Sequence, residues 1–91
     1  MYSMAKKIAE ARRQIKMANQ DKVEFVKKAY SDFVSESAKM DDELNFIGHP
    51  EECKRDWIVE AIEYEILTES EFERLFDLME IVGMEDAMMV A

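Results

Sequence analysis

Apolar positions in the first part of the chain recur at helical spacing. Met4, Ile8, Ala11, Ile15 and Ala18 are separated by four, three, four and three residues. At about 100° per residue they line up as one narrow stripe, and Lys6, Arg12, Arg13 and Lys16 lie off it. The pattern predicts a first helix over about Ser3 to Ala18. A second begins near Asn19 or Asp21, either of which is a good N-cap. It carries Val23, Val26, Tyr30, Phe33, Val34 and Ser37 on one face. Met40, Leu44 and Ile47 keep the same phase, so this helix is expected to run on to Ile47. The competing reading is a break at Asp41-Asp42, with Asp41 capping a new turn. Gly48 is then expected to close the helix in a left-handed conformation.

The third helix starts at once. His49 is the expected cap, and Pro50 takes the first helical position, where a missing N–H costs nothing. Glu51 and Glu52 suit the positive end of the helix dipole. Cys53, Trp57, Ile58, Ala61, Ile62, Tyr64 and Ile66 cover most of its circumference, and Val59 and Leu67 widen the coverage. A helix that is apolar nearly all round is normally central, so this one is expected at the heart of the fold. Its acids Glu52, Asp56, Glu60 and Glu63 are confined to a wedge of about 80°. The fourth helix opens with Thr68-Glu69-Ser70-Glu71, which matches a capping box. Phe72, Leu75, Phe76, Met79 and Val82 form its buried face, and Gly83 is expected to end it. The methionine-rich tail 84–91 then either adds a docked turn, using Met84, Ala87 and Met88, or stays loose.

These elements predict an all-α fold, a compact bundle of about four helices in a single domain over residues 1–91. Short connections imply roughly antiparallel neighbours. Two glycines and one proline are too few for the turns of a sandwich or barrel. A domain of this size buries only about 60–65% of the surface its unfolded chain exposes, so docking or dimerisation would add stability.

Charge sharpens the picture. The net charge of −9 is unevenly placed: residues 1–28 carry eight Lys/Arg against three Asp/Glu, and residues 29–91 carry four against eighteen. Cys53 is the only cysteine, which rules out an internal disulfide and a cysteine-based zinc site. A free thiol fits a reducing compartment. The stretch from Met1 to Asn19 is too charged for a signal peptide, and no run approaches the roughly 20 apolar residues that span a bilayer. The expected setting is cytoplasmic, without membrane contact.

Candidate chemistry is sparse. His49, Glu52, Cys53 and Asp56 cluster at the start of the third helix, but metal clusters of this kind usually show a second spaced ligand pair, and none is present. Asp41, Asp42 and Glu43 lack the glycine and terminal glutamate of a calcium loop. There is no nucleophile elbow, no phosphate-binding glycine loop and a single histidine. No catalytic residue, metal site or cofactor is therefore expected, and the chain reads as a non-enzyme.

The acidic wedge is the most informative surface feature. Like charges at its spacing destabilise a helix by about 0.2–0.5 kcal/mol per pair. A basic partner protein would offset this, as would the chain's own first helix; a plainly solvated face is the third account. The leading functional expectation is a small regulatory adaptor or inhibitor that presents Glu52, Asp56, Glu60 and Glu63 to a basic partner surface. The first alternative is a structural homo-oligomer assembled through the N-terminal helix, whose narrow stripe resembles a coiled-coil seam. The second is nucleic-acid binding through the basic face of Lys6, Arg12, Arg13 and Lys16. The overall charge of −9 and the lack of nearby stacking aromatics argue against that.

Overall fold

The chain forms four helices, α1 (Met4–Met17), α2 (Gln20–Ser37), α3 (Pro50–Glu63) and α4 (Glu69–Val90), in a computed structural model that describes residues 3–39 and 48–90, with side chains through 83. No strand occurs among the described residues. Each helix start has a local cause. The Ser3 hydroxyl accepts from the Lys6 N–H at 3.2 Å. The Asn19 side chain accepts from the N–H groups of Asp21 and Lys22 at 2.9 and 3.3 Å. Pro50 occupies the first turn of α3 behind His49, whose side chain makes no capping bond. At α4 the capping box is complete: the Glu71 N–H donates to the Thr68 hydroxyl at 3.1 Å, and the Thr68 N–H donates to Glu71 Oε1 at 3.0 Å.

The two-residue connection between α1 and α2 is held from both sides. Asn19 caps the helix that follows, and the Gln20 amide donates to the carbonyls of Ile15, Lys16 and Ala18 at 3.2, 3.1 and 2.9 Å. This satisfies orphan acceptors at the end of α1. The extended backbone at Ala18 and Asn19 carries α2 away from α1. The expected antiparallel pairing of these neighbours is not adopted: α1 packs chiefly on α4.

The core lies between α2 and α4. Val23, Val26, Phe72 and Phe76 are fully buried, joined by Ala29, Ala61, Leu67, Leu75 and Met79. Phe76 stacks on Phe72 at 5.8 Å and takes the edges of Tyr30 and Phe33 at 5.4 and 5.1 Å. α2 and α4 run in the same direction, since Lys22 meets Glu71 near their starts and Phe33 meets Phe76 further on. α3 lies antiparallel on α2: Trp57 meets Phe25 at 5.2 Å, and the His49 N–H donates to Glu36 at 3.3 Å.

Four expectations are corrected. First, α3 is not central. Ala61 is its one buried residue, while Val59, Ile62 and Tyr64 are 51%, 50% and 71% exposed. Its small alanine fits closely against the core, and among the described residues no further layer covers the far side. Second, α2 ends at Ser37. Gly48 returns to the same place: a Cβ built on it would overlap the Glu36 carbonyl oxygen. A straight helix would instead carry residue 48 about 18 Å past residue 36, at about 1.5 Å per residue. The turn lets α3 fold back over α2. The proposed break at Asp41-Asp42 and the acids Asp41 to Glu43 lie outside the described residues. Third, Gly48 is needed for this close approach and not for a left-handed conformation, because no glycine has positive φ. Fourth, Gly83 does not end α4, which continues to Val90. A Cβ at Gly83 would stand 2.6 Å from the Tyr30 hydroxyl, so its role is to admit that ring. Val34, expected on the buried face of α2, is also 46% exposed.

The left-handed residue is Glu65, with φ of 53°. The Ile66 N–H donates to Ala61 O at 2.9 Å and the Glu65 N–H to Ile62 O at 3.2 Å. This is a Schellman ending with glutamate where glycine is usual. The left-handed region costs an L-residue about 1–2 kcal/mol, of which glycine's own entropy returns part. Glu65→Gly is expected to stabilise the fold by about 0.5–1 kcal/mol, measured by urea unfolding. Gly48→Ala is expected to destabilise it by about 1–3 kcal/mol through overpacking against backbone, measured the same way.

The Glu71 carboxylate is held at a pKa of about 2, below its ordinary 4.5, first by the Lys22 ammonium and then by the Thr68 N–H. A depressed carboxylate contributes stability that is fully present above pH 4.5 and is lost as the pH falls through about 2. Glu71→Gln keeps an acceptor for Thr68 but removes this titration. The stability gap between wild type and variant is expected to shrink steadily between those two pH values, as read from thermal melts across the range.

Candidate functional site

The core direction of α3 is set by Ala61, Trp57, Ile58 and Cys53, and the opposite side therefore faces water. The Trp57 indole N–H donates to Asp32 at 2.9 Å and its ring meets Phe25, which fixes the rotation of the helix about its axis. Lys54 faces inward: its ammonium sits 3.0 Å from Glu73 and 4.3 Å from the Phe76 ring centre, with the side chain only 17% exposed. Lys54 is thus committed to α4 and does not reach the acids on the outward side.

The wedge falls on the outward side. Glu52, Asp56, Glu60 and Glu63 are all exposed. The His49 ring lies beside Glu52, with Nδ1 3.6 Å from its carboxylate. Among the described residues, Asp56, Glu60 and Glu63 form no side-chain hydrogen bond or ion pair. Arg55 is the one cation of α3 left at the surface. A shallow hollow runs along this face, lined by Asp56, Trp57, Val59, Glu60, Glu63 and Tyr64. The structure therefore places the four predicted acids together on one helix face and adds apolar neighbours, Val59, Ile62 and Tyr64, that were expected in the core. The signal for these was present in the sequence: an apolar circumference too wide for one neighbouring layer to cover.

The basic residues Lys6, Arg12, Arg13 and Lys16 are all exposed on α1. Arg13 is held by Glu10, its Nε lying 3.2 Å from the carboxylate, which in turn sits below the usual carboxylate range because of that bond. No ion pair joins α1 to α3 among the described residues, so the first helix does not neutralise the wedge there. The stripe of α1 is already committed: Ile8 and Ala11 are buried, and Ile15 and Ala18 pack against the core. Met4, at the start of the stripe, is 42% exposed.

Partial burial, with Asp32, Glu36 and Asp56 nearby, pushes the Cys53 thiol up from its ordinary value, so it stays protonated at neutral pH and is a poor nucleophile. Among the described residues no group of three or more His, Cys, Asp or Glu side chains is arranged to hold a metal ion. A second groove lies between the α1–α2 connection and α4, near Arg13, Lys22, Glu71 and Arg74, but its central Lys22 and Glu71 are paired with each other. Among the described residues no helix is long and apolar enough to cross a membrane. Comparison of the chain with protein-family models, with curated proteins and with solved structures finds no match.

Proposed function

We propose that this protein is a non-enzymatic interaction module, a regulatory adaptor or inhibitor that offers the acidic outward face of α3 to a basic surface on another protein. The observation that carries the reading is that Asp56, Glu60 and Glu63 stand exposed and unpaired among the described residues, while Lys54 is drawn to Glu73. Glu52 extends the same face by one turn. The repulsion built into this spacing, about 0.2–0.5 kcal/mol per pair, is relieved when cations arrive from outside. A net charge of −9 also steers a basic partner towards the protein over long range. One form of the reading is a decoy: carboxylates at regular spacing occupy the places where phosphates would sit on a nucleic-acid-binding protein.

Charge-driven binding of this kind weakens with salt. Tagged protein is expected to capture a basic partner from its host's lysate at low salt and to release it at high salt. The double reversal Asp56→Lys with Glu60→Lys is expected to weaken that capture at least tenfold, with an unchanged circular dichroism spectrum. Undiminished capture by the reversed protein would put the binding face elsewhere on the molecule.

A further inference from the structure

A further hollow, of about 480 Å³, lies where α3 ends and α4 begins, apart from the acidic face. Ile62, Ile66 and Leu67 give it an apolar lining, with Ile62 50% exposed and Ile66 half-buried. Glu65 and Glu69 also line it. Both are exposed, and among the described residues neither carboxylate has a hydrogen bond or ion pair. Lys22 and Glu71 close another side, paired with each other. The negative end of α3 and the positive end of α4 meet here, and their partial charges of about 0.5 offset one another. The hollow therefore keeps two uncompensated carboxylates beside an apolar surface.

Glu65 is also the residue that holds the left-handed conformation, with φ of 53°. Glycine would end α3 there at lower cost. Residues kept in a costly backbone conformation cluster at ligand-contacting positions. A glutamate here gives up stability and sets a carboxylate beside the hollow. We infer that this hollow receives one lysine or arginine side chain of the basic partner, its aliphatic stem on Ile62, Ile66 and Leu67 and its charged end at Glu65 and Glu69. This rests on the acidic-face reading and names an anchor next to that face: Glu63, the last acid of the wedge, precedes Glu65 by two residues.

The chemistry of the lining selects this occupant. A long cationic side chain offers an apolar stem and a charge together. A purely apolar side chain leaves both carboxylates unanswered, and an anion is repelled by them. A bare metal ion finds too few ligands, since among the described residues no group of three or more His, Cys, Asp or Glu side chains is arranged to hold one. The net charge of −9 draws cations towards the surface and makes a second copy of the chain the poorer source of the side chain.

The test uses three small probes in about 0.15 M salt, where charges more than about 8 Å apart are largely screened. They are hexylammonium, uncharged hexanol, and ammonium, which has no stem. Binding is read by NMR chemical-shift titration. Hexylammonium is expected to shift the resonances of Ile62, Ile66 and Leu67 and to bind at least threefold more tightly than either other probe. Glu65→Gln and Glu65→Gly are each expected to weaken it about threefold to fivefold, the loss of one charge pair near 4 Å in water. Glu65→Gly is at the same time expected to raise the urea midpoint, and weaker binding in a more stable protein is not what a merely structural residue produces. Hexanol bound as tightly as hexylammonium, shifts centred on another part of the molecule, or unchanged affinity in both variants would overturn the inference and leave the acidic-face reading standing. Capture of the basic partner separates the two readings. If Asp56→Lys with Glu60→Lys weakens capture and Glu65→Gln does not, the acidic face stands and the anchor is rejected. If Glu65→Gln weakens capture and the double reversal does not, the anchor stands and the acidic face is rejected. Concentration-dependent sedimentation of the protein alone, abolished by Glu65→Gln, would put a cation of a second copy in the hollow and reject the partner's.

Discussion

Val23 and Val26 of α2 meet Phe72 and Phe76 of α4 out of reach of water, and the placement of every other element depends on that seam. Burying side chains of this size is worth about 1.5–3 kcal/mol each, a large share of the margin available to so small a domain. Phe76 is its hub, touched by Phe72, Tyr30 and Phe33 and covered by the Lys54 ammonium. Removing this ring would strip contacts from α2, α3 and α4 together, so the three helices form one cooperative unit. Because α2 and α4 run in the same direction, neither can be joined to the other by a short turn. The chain must first travel out along α2 and return along α3.

That return path explains the outward face of α3. The helix has to lie antiparallel on α2 to bring Leu67 and Thr68 to the start of α4, and the path leaves only one of its sides in contact with the core. The Trp57 bond to Asp32 and the Lys54 pair with Glu73 fix its rotation, so the carboxylates and three large apolar residues point to solvent on a rigid element. A surface built on a packed helix keeps its geometry without a bound partner, which lowers the ordering cost of association. The proposed function draws on this rigidity as well as on the exposure of the acids.

The cations of α1 lie on a helix whose apolar stripe is spent on α4, and the carboxylates of α3 lie on the helix that packs against α2. No ion pair joins α1 to α3 among the described residues, although α1 packs on α4, which carries acids of its own. In a chain whose long-range field is negative, the exposed acids are the groups that a charged partner meets first.

Local chemistry was readable residue by residue. The Asn19 cap, Pro50 in the first turn, the Thr68–Glu71 box and the buried stripe from Phe72 to Met79 each follow from interactions within a few positions of the chain, and the periodicity of α1 and α4 identified their buried sides. The four acids of α3 were legible as one face for the same reason, since helical geometry alone brings them together. Tertiary structure decided what sequence pattern cannot encode. Periodicity shows which residues of α3 are apolar but not how many neighbours exist to cover them. Apolar phase carried on past Ser37 on paper, while the gain from folding α3 over α2 ended the helix there and brought Gly48 against the Glu36 carbonyl. The glycines were read as conformational signals, yet both are places where another part of the chain comes too close for a side chain. The left-handed position fell instead on Glu65, which no composition rule singles out. For the exposure of α3, the end of α2 and both glycines, the deciding packing involves residues distant in sequence, and its energy exists only once the helices have packed.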